Sequence, residues 1–184
     1  LIKKGLKVIK NIKIIKAVYG NNKILYPIKK KYYPIQNWIS HPISVFLTIC
    51  GDIKKFKIIN YKIKYKNGFI YEKVQIQLFK QNLDLVFNFS NFPGDKNRNI
   101  KIVGQKGYLK FNSYLKKDNY IFYKQREYIN SETTSIENIL NLFLKNIYKK
   151  SSNSNIAMGV KEHFLSTSII KKISSIRRNA LNLK

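Results

Sequence analysis

From residue 53 to residue 123 the chain alternates apolar and polar positions almost without interruption. Ile59, Tyr61, Ile63 and Tyr65 are separated by Asn60, Lys62 and Lys64, and the same period of two recurs in Val74, Ile76 and Leu78 and in Leu83, Leu85, Phe87 and Phe89. Alternate residues of a strand point to opposite faces, so this pattern predicts half-buried β-strands. Asn67-Gly68 and Gln81-Asn82 supply hairpin turns, and a longer loop is expected over 91–99. A further pair, NIKIV (99–103) and YLKF (108–111), is joined across GQKG (104–107), and IKIIKAVYG (12–20) reads as an earlier strand closed by the turn GNNK (20–23).

The period changes in three places. Ile43, Phe46, Leu47 and Cys50 recur at i, i+3, i+4 and i+7 and stop at Gly51, which predicts a helix with Ser40 as N-cap, Pro42 in its first turn and His41 at its entrance. Thr134 and Glu137 have capping-box spacing ahead of the stripe Ile136, Ile139, Leu140, Phe143, Leu144 and Ile147, a second helix over 134–147. Beyond SSNSN (151–155), Ile156, Val160, Phe164 and Thr167 predict a last amphipathic helix, followed by a basic, frayed tail from Lys171. Strand, helix, many strands and two helices define an α+β fold: an open, mostly antiparallel β-sheet covered on one face by helices. Neither a repeat nor a linker divides residues 1–184, so they are expected to form one domain.

Composition changes this picture little. The formal charge of +27, from 36 Lys and Arg against 9 Asp and Glu, points to a polyanion partner, and a basic RNA-binding or ribosome-associated protein from an A/T-rich genome is one reading. The lysines, however, alternate with strand apolars as a wet sheet face would, and Ile, Lys, Asn and Tyr all have A/T-rich codons. The expectation is no specific nucleic-acid partner. Cys50 is the only cysteine, which excludes an internal disulfide and places a buried thiol on an apolar helix face; a reducing, cytoplasmic setting follows. The longest uncharged run, 32–51, is broken by Pro34 and Pro42 and is too polar for a membrane span. A chain that opens on Leu1 is expected to be part of a longer polypeptide.

Known chemistry-bearing motifs are absent: no G-x-G-x-x-G, no Walker loop, no H-E-x-x-H and no clustered metal ligands. The carboxylates are scattered and expected to be solvated, and His163 is expected to be a surface or packing histidine. His41 has better company, because Asn37 stands four residues before it and Trp38 offers a flat wall between them. A neutral imidazole can give or take a proton near pH 7, and a helix N-terminus helps keep it neutral. A helix-entry histidine beside a turn-forming asparagine explains the same residues without a site, and the residues alone leave both readings open.

NWISHPISVFLTICG (37–51) resembles the signature of the glucose-fructose oxidoreductase and inositol dehydrogenase family, Gfo/Idh/MocA. KNIKIIKAVYGN (10–21) resembles the first strand of that family's C-terminal domain, with Asn11 where a glycine is common; RNIKIVGQKGYLKF (98–111) resembles its glycine hairpin, and TSIENILNLFLKNI (134–147) the helix that follows. The resemblance implies a C-terminal α+β domain for substrate binding and dimerisation, with an N-terminal Rossmann domain, absent from this chain, binding NAD or NADP. It implies oxidation of a sugar, polyol or sugar-nucleotide hydroxyl, activity only with the nucleotide domain present, and a homo-oligomer formed through the open sheet. His41 then matches the proton-exchanging histidine, while Asn37 takes the position of the family's aspartate. An amide can orient a ring but cannot stabilise an imidazolium by charge. Trp38 and the basic, aromatic 22–34 loop, with Lys29, Tyr32 and Tyr33, are the candidate substrate lining; neither a cofactor-binding residue nor a metal site is expected in this chain.

Overall fold

The computed structural model describes residues 6–7, 9–21, 25–30, 33–112, 120–123, 125–128 and 153–182. Strand β1 (Ile14–Asn21) leads through a 3-10 turn (Ile28–Lys30) to helices α1 (Pro34–Trp38) and α2 (Ser40–Cys50). Then come β2 (Lys55–Lys66), β3 (Phe69–Lys80), β4 (Leu83–Ser90), β5 (Lys96–Gly104), β6 (Gly107–Asn112), β7 (Tyr120–Tyr123), β8 (Gln125–Tyr128) and helix α3 (Asn153–Asn182). The helix expected over 134–147, like Tyr32, lies outside the described residues.

The strands form one open sheet in the order β2-β3-β4-β1-β5-β6-β7-β8. Every neighbouring pair is antiparallel except β1 and β4, which run parallel with Ala17 opposite Phe87. Hairpin-length turns explain the antiparallel pairs, and Asn67 and Gly68 take the positive φ values, 53° and 76°, that a tight hairpin needs. The parallel pair has another cause: the chain leaves β1 through two helices and two hairpins before β4 returns beside it.

One sheet face carries the core. Ile15, Ala17 and Tyr19 of β1, Val74, Ile76 and Leu78 of β3, Leu85, Phe87 and Phe89 of β4 and Ile100 and Ile102 of β5 pack with Phe46 and Leu47 of α2 and Ile169 and Ile173 of α3. Lys16, Lys73 and Lys101 stand exposed on the other face, as a sheet covered on one side only requires. The edge strand β2 exposes Lys57, Lys62, Lys64 and Lys66, which discourages pairing with a further chain. Its alternation breaks where a bulge between Ile58 and Asn60 turns Ile59 outward.

Two helix expectations need correction. Ser40 does not cap α2: Ile39 is already helical, and the Ile39 N–H reaches the Ile35 carbonyl at 3.0 Å, so the chain turns helically from Pro34 onward. Pro42 has no N–H for the Trp38 carbonyl four residues back, which accounts for the break between α1 and α2. His41, just past that break, is in the first turn of α2, as expected. On α3 the buried stripe is Leu165, Ile169, Ile173 and Arg177, while Val160 and Phe164 are 48% and 67% exposed. The tail expected to fray from Lys171 continues the helix to Asn182, because Arg177 is buried against a carboxylate instead of ending the apolar face.

GQKG has a structural task. The Gln105 and Lys106 N–H groups donate to the Lys10 and Ile9 carbonyls at 3.0 and 2.8 Å, holding a turn in which Lys10 and Asn11 have φ of 48° and 34°. Asn tolerates that geometry in place of glycine. A Cβ on Gly104 would come within 2.6 Å of the Ile9 carbonyl oxygen. Gly104→Ala is expected to cost about 1–3 kcal/mol, the range for forced overpacking, measured as a lower urea midpoint.

Candidate functional site

Of the sequence-predicted residues, His41, Asn37 and Trp38 form two neighbouring groups, and Lys29 and Tyr33 lie apart from both. His41 opens onto a cleft of about 370 Å³ with Tyr19, Ser40, Ser44, Arg98 and Glu162. Four elements meet there: β1 brings Tyr19, α2 brings the histidine and both serines, β5 brings Arg98 and α3 brings Glu162. The Arg98 guanidinium lies 5.2 Å from the Trp38 ring centre and 5.4 Å from that of Tyr19, close enough for both π faces to hold the cation. The His41 ring lies 6.1 Å from Trp38 at 53°.

This surrounding decides the protonation of His41. Burial of part of the ring and the Arg98 charge beside it hold its pKa below the ordinary histidine value, against an upward pull from Glu162. At neutral pH the ring is the free base, ready to accept a proton. The cause expected from sequence was a helix N-terminus; the cause found is desolvation with a neighbouring guanidinium. Tyr19 is kept neutral by burial, which raises its pKa despite Arg98.

Asn37 and Trp38 converge on Tyr26. The buried Tyr26 hydroxyl accepts from the Trp38 indole at 3.0 Å and from the Asn37 amide at 3.2 Å. Tyr26 is in turn fixed to the β2–β3 hairpin, its carbonyl accepting from the Ile70 N–H at 2.8 Å. Trp38 thus stands between Tyr26 on one side and His41 and Arg98 on the other. Lys29 is exposed on the 3-10 turn. Tyr33 serves elsewhere: the Arg177 guanidinium carbon sits 3.1 Å from its ring centre.

That contact belongs to a buried polar network that the sequence did not reveal. Glu72 and Arg177 are 0% and 5% exposed, and Arg177 Nη2 meets Glu72 Oε1 at 2.6 Å. The same carboxylate accepts from the Tyr61 hydroxyl and the Ile35 N–H, both at 2.9 Å, and Arg177 Nε donates to the Tyr61 hydroxyl at 2.9 Å. Asn91 completes it, its Oδ1 accepting from the Glu72 N–H at 2.6 Å and its Nδ2 donating to the Ile70 carbonyl at 2.9 Å. Glu72, expected at a solvated strand face, is therefore a buried ion. Its bond to Ile35 ties β3, and through Arg177 also α3, to the first turn of α1, the segment that leads into His41.

Among the described residues, no His, Cys, Asp and Glu group could hold a metal. Cys50, half-buried and not fully so, has its thiol pKa pushed up to about 11 by burial, too high for a nucleophile at neutral pH. No described helix is long and apolar enough to cross a membrane.

No protein-family model and no curated protein matches the chain. Solved structures do. A candidate oxidoreductase from Magnetospirillum magnetotacticum superposes with a TM-score of 0.74 at 15% identity, covering 90% of this chain and 57% of that one. The fold is thus one that oxidoreductases carry. More narrowly, it is shared with a Gfo/Idh/MocA family oxidoreductase from Vibrio cholerae, with a TM-score of 0.68 at 11% identity over 97% of this chain and 58% of that one. UDP-N-acetylglucosamine 3-dehydrogenase from Acidithiobacillus ferrooxidans is similar too, with a TM-score of 0.67 at 12% identity over 92% and 55%. At these identities the likeness is one of fold, and the chain spans a little over half the length of those structures.

Proposed function

We propose that this chain is the C-terminal substrate and dimerisation domain of a Gfo/Idh/MocA-type, NAD(P)-dependent oxidoreductase acting on the hydroxyl of a sugar, polyol or sugar nucleotide. The observation that carries the reading is the His41 cleft: a free-base imidazole beside a fixed cation, in a fold otherwise known from oxidoreductases of nearly twice the length. Hydride transfer is the nicotinamide's chemistry, supplied by a nucleotide-binding domain outside residues 1–184. The task of this chain is to present His41 to the substrate hydroxyl and take its proton as the carbon loses hydride. Trp38, held by Tyr26, shapes the approach; the open sheet face is the surface for a second copy. A reducing, cytoplasmic setting suits the single cysteine.

The test is reconstitution. Residues 1–184 alone should show no heat of NAD(H) binding in titration calorimetry. The polypeptide extended upstream should begin with a glycine-rich strand-loop-helix, bind NAD(H) or NADP(H), and reduce the oxidised cofactor with a member of a sugar and polyol panel. Micromolar NAD(H) binding by residues 1–184, or an extended chain with no nucleotide-binding region, would overturn the assignment.

A further inference from the structure

The cleft carries a conflict that the proposed chemistry must resolve. When a hydroxyl gives its proton to His41, the imidazolium formed faces the guanidinium of Arg98, a group of the same sign that does not deprotonate. With Arg98 alone, the site would oppose its own proton transfer. Asn37, four residues before His41, has no charge to offer and donates to Tyr26. The other groups around the ring, Tyr19 from β1 and Ser40 and Ser44 from α2, are neutral at neutral pH.

The exception is Glu162. It reaches the cleft from α3, more than a hundred residues along the chain, and is the one carboxylate among the lining residues. The Ser166 hydroxyl, one helical turn later and itself buried, donates to Glu162 Oε1 at 3.3 Å and so fixes the side chain on this face of α3. We propose that Glu162 is the counter-charge of His41, a positioning residue that stabilises the protonated ring against Arg98 while the proton resides there. The inference rests on His41 as the acid/base, and gives α3 a part in the site that its place in the fold, packed across α2, explains.

The test needs neither substrate nor cofactor. The chain has two histidines, so the proton spectrum contains two imidazole Hε1 signals, and His163→Gln at the exposed second position assigns them. Glu162→Gln should move the His41 titration midpoint to lower pH, Arg98→Gln should move it higher, and the double variant should fall between the two. Glu162→Asp should recover part of the loss. Ser166→Ala, which frees the carboxylate but removes no charge, should give a smaller downward shift and serves if Glu162→Gln melts early. An unmoved His41 midpoint in a Glu162→Gln chain of native melting temperature would overturn the proposal. Failure of the dehydrogenase reading looks different: the midpoints move as expected, yet the extended polypeptide turns over no substrate.

Discussion

Arg177→Ala is expected to lower the unfolding free energy by about 3–5 kcal/mol, the range for removing one partner of a buried ion pair. The variant leaves Glu72, which is 0% exposed, with a charge that only Tyr61 and the Ile35 N–H still meet. Desolvation of an unpaired carboxylate then dominates, and denaturant titration reads it as a lower midpoint at unchanged slope. Arg177→Met with Glu72→Met should cost less than either single change, because the pair's mutual attraction mainly repays its own burial. Equal or larger loss in the double variant would mean that the network contributes net stability beyond charge neutralisation. Tyr61 adds a pH signature. Burial, with the Glu72 charge beside it, raises its pKa above the ordinary tyrosine value, so the folded state holds this proton more tightly than the unfolded one. That contribution is complete below about pH 10, the unfolded value, and is lost as the pH climbs above it. Tyr61→Phe should remove the part of the alkaline destabilisation that this phenol causes.

The same network marks the limit of what the sequence disclosed. Alternation in 53–123 announced the hairpins because each strand buries one face, and the antiparallel open sheet with helices on one side followed from turn lengths. The parallel β1–β4 pair did not, since it depends on where a long excursion returns. The Leu165–Ile169–Ile173 stripe of α3 was hidden because its fourth member is an arginine, and a basic residue there reads as the end of an apolar face. Only the arrival of Glu72 from β3, 105 positions away, makes that arginine a core residue. The candidate site shows the same division. His41 and Trp38 were legible from local spacing, whereas Arg98, Tyr19, Tyr26 and Glu162 come from other elements, and nothing at the positions of the last three marks them. A weak signal existed for Arg98, the arginine opening the RNIKIVGQKG hairpin among many lysines; its bidentate geometry and tolerance of aromatic faces suit it to a fixed place in a cleft.

In an extended polypeptide that carries the nucleotide-binding domain proposed above, His41→Ala is expected to reduce kcat by about 10² to 10⁴, the range for losing a general acid-base, while the cofactor Kd stays unchanged. Burial and Arg98 hold the His41 pKa below the ordinary value, so if the ring takes the hydroxyl proton as proposed, activity should fall as acid protonates it, and His41→Ala should abolish that acidic limb. Asn37→Asp refines the test. The Tyr26 hydroxyl accepts from both Asn37 and Trp38; with aspartate at 37 it donates its own proton there and keeps the indole bond, so Trp38 stays in place. If the field of a carboxylate at 37, four residues before His41 on the chain, reaches the ring, it favours the protonated form and moves the acidic limb to higher pH. If Glu162 already supplies such a charge, Asn37→Asp should raise kcat modestly in the native background and most in Glu162→Gln, where it restores what was removed. A polypeptide that binds NAD(P)H but keeps its turnover and its acidic limb after His41→Ala would show that the cleft histidine moves no proton. A rate lost in His41→Ala but unrestored by Asn37→Asp in the Glu162→Gln chain would instead confine the failure to the proposed exchange of carboxylates.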